Sequence, residues 1–155
     1  MIKWILIVLL ICNSCSSIEN KHKIIQNLDL IKINRDFGYN SLNYRSHSNF
    51  HKGLVIGLKS NAPIFSWSSG EVIETCNDCK RSFGNYVLIK HPNNIKIKYY
   101  HLSQIVVKLG DYVEEGQTLG LAGNSGLTPV IGVGIRAWRK DSIIDPKLIL
   151  NLPNL

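Results

Sequence analysis

From Ile33 onward, short apolar stretches rich in Val, Ile and Tyr alternate with Gly, Asn, Asp and Pro. Runs of that length with period-two alternation, bounded by turn residues, predict β-strands rather than helices. The candidate strands are Leu54–Leu58, Pro63–Ser66, Gly70–Glu74, Asn85–Lys90, Ile95–Tyr100, Thr118–Ala122 and Val130–Ala137. Asn85–Lys90 and Ile95–Tyr100 flank Pro92-Asn93-Asn94 and read as a hairpin. In its second strand, Ile95, Ile97 and Tyr99 alternate with Lys96 and Lys98, which places the lysines on one wet face. The reading is a mostly β domain without internal repeats.

The pattern before Ile33 is different. Trp4 to Ile11 is continuously apolar, follows a single positive residue, Lys3, and is too short to span a bilayer as a helix. With the small polar residues after it, this stretch reads as a signal peptide. Cys12-Asn13-Ser14-Cys15 resembles a loose bacterial lipobox, with Cys15 as the residue to be lipidated. A plain secretory signal and an uncleaved anchor are the alternatives. Residues 15–32 are polar and basic with isolated apolar positions, and read as a tether with some helix around Ile24 to Ile31. No heptad pattern supports a coiled-coil arm. The division is thus 1–14 signal peptide, 15–32 tether and 33–155 domain, and the expected location is the bacterial cell envelope, membrane-anchored.

A formal charge of +7 over 155 residues favours anionic partners in general. Export and the scattered placement of the lysines argue against nucleic acid. Charge narrows the function no further.

The chemistry comes from motifs. Phe50-His51-Lys52-Gly53-Leu54-Val55, Tyr100-His101-Leu102-Ser103, Gly123-Asn124-Ser125-Gly126 with Pro129-Val130-Ile131-Gly132-Val133, and the closing Asp145-Pro146 follow one another in this order. Phe37-Gly38-Tyr39, Ala62-Pro63-Ile64, Ser69-Gly70-Glu71-Val72 and Gly84-Asn85-Tyr86-Val87 lie at the intervening places. In order and spacing the set resembles the lysostaphin-type (LytM-like) zinc endopeptidases that cut peptidoglycan cross-bridges. The resemblance runs from about Ile33 to Leu150. It implies antiparallel sheets forming a groove.

In that family zinc is held by the His and Asp of His-x-Gly-x-Asp and by the second His of Pro-His-x-His. By the resemblance these positions fall on His51, Val55 and Gly132. Two further family histidines, which activate water and stabilise the oxyanion, fall on His101 and Val130. His51 and His101 are retained, whereas Val55, Gly132 and Val130 replace donor residues. A catalytic zinc needs three protein ligands of N, O or S type, and it supplies the nucleophile by lowering the pKa of bound water. No catalytic residue, no metal ligand set and no cofactor is therefore expected, although the family uses zinc. The stretch between Leu127 and Pro129 is also shorter than the family's usual form.

Cys76-Asn77-Asp78-Cys79 is a lone C-x-x-C on an exported chain, for which a disulfide is the expected state. Free thiols, or a metal clip completed by His51 or His101, are the alternatives. His91 ends a strand and reads as structural or solvent-facing, while Trp67 and Trp138 fit either core or groove edge.

Three functions remain in view. The first is a catalytically inactive LytM-like envelope lipoprotein that binds peptidoglycan peptide or regulates a murein hydrolase. The second is an active zinc endopeptidase with a non-standard ligand set, and the third is a structural envelope protein. Fold resemblance alone does not choose among them.

Overall fold

The computed structural model describes residues 32–39, 50–80 and 82–150. The apolar run, Cys15 and the tether up to Ile31 lie outside these residues.

The centre of the fold is β8 (Ile95–Ile105), which pairs antiparallel with β7 (Asn85–His91) on one side and β11 (Gly132–Arg139) on the other. Outward from β11 come β4 (Leu54–Gly57) and β1 (Lys32–Arg35), and outward from β7 come β6 (Gly70–Cys76) and β9 (Tyr112–Val113). Three strands join off this path. β10 (Thr118–Ala122) pairs with β5 (Pro63–Phe65) and with the far end of β8, and β12 (Ser142–Ile144) pairs with β11. The whole forms one ten-stranded sheet, and β2 (Gly38–Tyr39) with β3 (Phe50–His51) makes a separate two-stranded one.

Alternation explains which face is which. Leu54 and Ile56, Val87 and Ile89, Ile97 and Tyr99, and Val133, Ile135 and Ala137 are all buried in the common core. Each fully buried aliphatic side chain contributes about 1.5–3 kcal/mol, an upper range because the unfolded chain is itself partly collapsed. The intervening positions, Val55, Tyr86, Lys98, Tyr100, Gly134 and Arg136, share the opposite face by the same period of two. That opposite face carries the site.

The β7–β8 hairpin closes through Asn93 and Asn94 with φ of 58° and 57°. Asparagine tolerates this left-handed region, which matches the twist of a tight hairpin. At the chain's other end, the Asp145 carboxylate accepts the Lys147 backbone N–H at 2.9 Å and starts the short helix α1 (Lys147–Leu150). Ile149 and Leu150 of α1 seal the edge of the core.

Three expectations change and a fourth, that His91 is structural or solvent-facing, narrows. β8 does not stop at Tyr100 but continues to Ile105, and β11 begins at Gly132, leaving Val130 in a loop. There Thr128 Oγ1 both donates to the Val130 carbonyl and accepts from its N–H, which closes a turn before the strand. Lys98 is not on a wet face: its side chain is only 12% exposed, lies 3.8 Å from the centre of the Tyr86 ring and pairs with Glu74. His91 is 3% exposed, so its role is structural rather than solvent-facing.

Candidate functional site

A groove of about 550 Å³ opens on the face opposite the core and is lined by His51, Val55, His101 and Val130 together with Tyr100, Phe83 and Arg136. Four of the five positions singled out from the sequence thus meet in one place. Gly132, the fifth, does not line it. It sits in β11 beside Gly57 of β4 and exchanges backbone hydrogen bonds with Gly123.

His51 ends β3, and its Nδ1 lies 3.0 Å from the Asp36 carbonyl oxygen. A carbonyl only accepts, so Nδ1 carries the proton and Nε2 is the basic nitrogen of the neutral ring. The Asp36 side chain is itself fixed, with Oδ1 accepting from the Phe37 N–H at 2.7 Å and Oδ2 bound to Lys147 Nζ at 2.6 Å. The start of the domain and α1 together therefore orient this imidazole.

His101 is placed by a break in pairing. Tyr86 faces Tyr100 and Asn85 faces Leu102, so His101 is an extra residue, with a φ of 69°. A β-bulge of this kind re-aims a side chain at the cost of local strain. The strain is held by backbone and side-chain bonds: His101 N–H donates to the Phe83 carbonyl at 3.0 Å, and Nδ1 donates to the Ser125 carbonyl at 2.7 Å. Ser125 in turn receives the Asn85 N–H and donates to the Leu102 carbonyl, tying the 123–126 turn to β7 and β8. Gly84 must be glycine here, because a Cβ would lie 2.3 Å from Ser125.

Two imidazoles are held, but the remaining positions do not complete a zinc site. Val55 offers an aliphatic side chain and Gly132 none. A Cβ at Gly132 would fall 1.9 Å from the Ile56 carbonyl oxygen, so β11 and β4 approach too closely for a side chain there. Among the described residues no group of three or more His, Cys, Asp and Glu is arranged to hold a metal. Cys76 and Cys79 are joined in a disulfide with Cα atoms 5.9 Å apart, and neither lines the groove.

What fills the floor is Tyr100. The two adjacent tyrosines divide, with Tyr99 fully buried and its hydroxyl accepting the Trp67 N–H, while Tyr100 turns into the groove. The Tyr100 ring covers Gly134, and its hydroxyl ends beside Gly53. Trp67 packs against the core, which settles its place, and Trp138 stands on β11 away from the groove lining.

Several groove residues escaped the sequence reading. Arg136 shares the parity of Gly132 and Gly134, so the alternation itself contained its position. Phe83 and Ser82 come from the β6–β7 loop and carry no such periodic mark. The Arg136 guanidinium lies 4.7 Å from the centre of the Phe83 ring, and Lys98 Nζ lies 5.3 Å from the same ring. Burial pushes both cations toward lower pKa, with Glu74 opposing that for Lys98 and Tyr100 opposing it for Arg136.

The profile of Peptidase family M23 matches residues 49–146. The chain belongs to Peptidase family M23. It is 40% identical over 76 residues to the peptidoglycan DD-endopeptidase ShyA of Vibrio cholerae, a match covering 49% of this chain and 17% of that protein. An uncharacterized metalloprotease of Buchnera aphidicola is 30% identical over 117 residues, 75% of this chain and 31% of its own length. The M23 match therefore spans less than a third of either relative. The zinc-containing peptidase structure from Vibrio cholerae superimposes with a TM-score of 0.67 at 27% identity, over 74% of this chain and 35% of that one. The catalytic domain of lysostaphin from Staphylococcus simulans superimposes with a TM-score of 0.71 at 24% identity, over 84% of this chain and 98% of that one, which bears on the fold alone. The antiparallel M23 fold read from the motifs is thereby established.

Proposed function

We propose that this M23 domain binds peptidoglycan peptide in its groove without cutting it, as an envelope lipoprotein. The observation that carries this reading is the state of residue 132. Its backbone lies so close to Ile56 that no side chain fits, and Val55, which faces Gly134 on the same strand pair, has no lone pair. A metal-activated water requires three protein donors around one ion, and the groove offers two imidazoles. What persists is a cavity of small-ligand size with apolar walls at Val55, Val130 and Pro129 and polar groups at Ser82 and Arg136. Such a cavity suits a short peptide, and its shape does not depend on a metal. Control of a murein hydrolase by the same groove would follow from this binding.

The observation against a purely structural role is that Tyr100 closes only the floor, and the groove above it stays open. Anchoring rests on the sequence, where Cys15 follows a run of signal length. A single acyl chain holds a protein marginally, and several make attachment stable. Mass spectrometry of the N-terminal peptide should show lipid on Cys15, and an unmodified cysteine there removes the anchor.

Elemental analysis of the purified protein beside digestion of cross-linked muropeptides tests the reading. The expected outcome is no stoichiometric zinc, no cleavage and retention of muropeptides on the immobilised protein. One equivalent of zinc with chelator-sensitive cleavage would falsify it.

A further inference from the structure

Arg136 carries a charge that the described residues leave uncompensated. It projects into the groove, where no Asp or Glu is among the lining residues. Its Nε is buried without a hydrogen-bond partner. Its cross-strand neighbour is Lys98, a second cation, and like charges directly opposite on a sheet destabilise one another. The carboxylate nearby, Glu74, is already engaged: it pairs with Lys98 at 3.7 Å and accepts the Tyr86 hydroxyl. The Phe83 ring under the guanidinium satisfies its face and leaves the hydrogen-bonding edge to be met by something else.

Burial cannot neutralise this group by titration, because a guanidinium stays protonated in proteins. A half-buried charge with an unmet N–H is costly until an anion pairs with it. The planar fork of arginine matches a carboxylate through two parallel hydrogen bonds, which a lysine cannot reproduce. The walls around it are apolar at Val55, Val130 and Pro129, so an anion carried on a small aliphatic residue fits better than a hydrated inorganic one.

We propose that Arg136 makes the groove a receptor for the free terminal carboxylate of an uncross-linked stem peptide, in preference to the amide of a cross-link. This rests on the groove-binding reading and adds the chemistry that selects the ligand. In a cross-linked strand the carboxyl carbon is held in an amide, which offers one neutral acceptor and no charge. The free acid offers two charged oxygens to the same fork.

The test uses the full chain in detergent, in a buffer free of phosphate and organic acids. The probes are the tetrapeptide L-Ala-γ-D-Glu-L-Lys-D-Ala as free acid and as C-terminal amide, with binding read by calorimetry. The acid is expected to bind at least about tenfold more tightly than the amide. Arg136→Gln should abolish that difference, and Arg136→Lys should keep only a small part of it, with circular dichroism checking the fold of each. Equal binding of acid and amide to the unmodified protein overturns carboxylate recognition while groove binding stands. The same result combined with loss of both in Arg136→Gln points to the free α-carboxylate of the γ-linked D-Glu and likewise overturns the terminal assignment. Persistence of the preference in a folded Arg136→Gln variant removes Arg136 as the receptor. Failure of both probes to bind overturns the groove-binding reading and this inference with it.

Discussion

The ring of Tyr100 occupies the space that any side chain at Gly134 would need: a Cβ there would fall 2.1 Å from Tyr100 Cε2. The two residues face each other across β8 and β11, so the absence of one side chain is the condition for the placement of the other. The floor of the groove is set by this pair.

Gly134→Ala should therefore push the ring out of its seat and destabilise the protein by about 1–3 kcal/mol, the usual range for overpacking. In a Tyr100→Ala background the same change should cost little, since the space is then empty. Urea denaturation of the four proteins measures the coupling. Additive effects would show that the ring and Gly134 do not compete.

Rebuilding the missing donors should fail for a steric reason. In a Val55→Asp, Val130→His, Gly132→His variant, the new side chain at 132 must displace the Ile56 carbonyl, 1.9 Å from its Cβ. That carbonyl belongs to the β4–β11 ladder, so the cost falls on the sheet itself. The expected result is a less stable protein without stoichiometric zinc, measured by thermal melting and elemental analysis. Tight one-to-one zinc binding in a folded variant would show that β11 yields more readily than the packing implies.

The strands and the family were legible because both depend on local features: alternation in Ile95–Tyr99, asparagines in the turn, and motif spacing from His51 to Pro146. The continuation of β8 past Tyr100 was not, because a bulge at His101 interrupts the period of two that defines a strand in sequence. Lys98 looked solvated because the Phe83 and Tyr86 rings that cover it reach it only through the folded β6–β7 loop and hairpin. The division of labour between Tyr99 and Tyr100 was likewise invisible, since both are equally aromatic and only the face of β8 separates them. Gly132 illustrates a different gap. Sequence showed that its donor was missing, but the closeness of Ile56 that forbids one is a property of strand packing.

The Tyr86–Glu74 contact should be visible at alkaline pH. Tyr86 donates its hydroxyl to Glu74, and that hydrogen bond, then burial, then the carboxylate's charge raise its pKa from 10.0 to about 12. A raised folded pKa means the contribution to stability is complete below the unfolded value of 10.0 and declines as pH rises through about 12. Glu74→Gln should bring the tyrosinate transition back toward the ordinary value in an ultraviolet titration, with Tyr86→Phe assigning it. No movement of the transition in the glutamine variant would place the cause elsewhere.

His91 supplies the opposite case at acid pH. Its Nδ1 lies 3.0 Å from the Ser69 carbonyl and donates to it, while Nε2 is buried with no partner. The Trp67 ring meets it edge-on at 5.5 Å, and Glu71 and Lys90 line the shallow hollow alongside. Burial lowers its pKa from 6.5, only partly offset by the backbone of Ser69 and Ser68. A base with a depressed folded pKa binds its proton more readily when unfolded. Its contribution is therefore complete above the unfolded value of 6.5 and is lost as pH falls from there toward the folded value. His91→Gln retains a donor for the Ser69 carbonyl but does not titrate, so it should be less stable than the native protein near neutrality and should lose less on acidification. Urea midpoints of the two proteins at neutral and mildly acidic pH give the comparison. Parallel losses in both would mean that His91 does not carry the acid sensitivity, and that the carboxylates do.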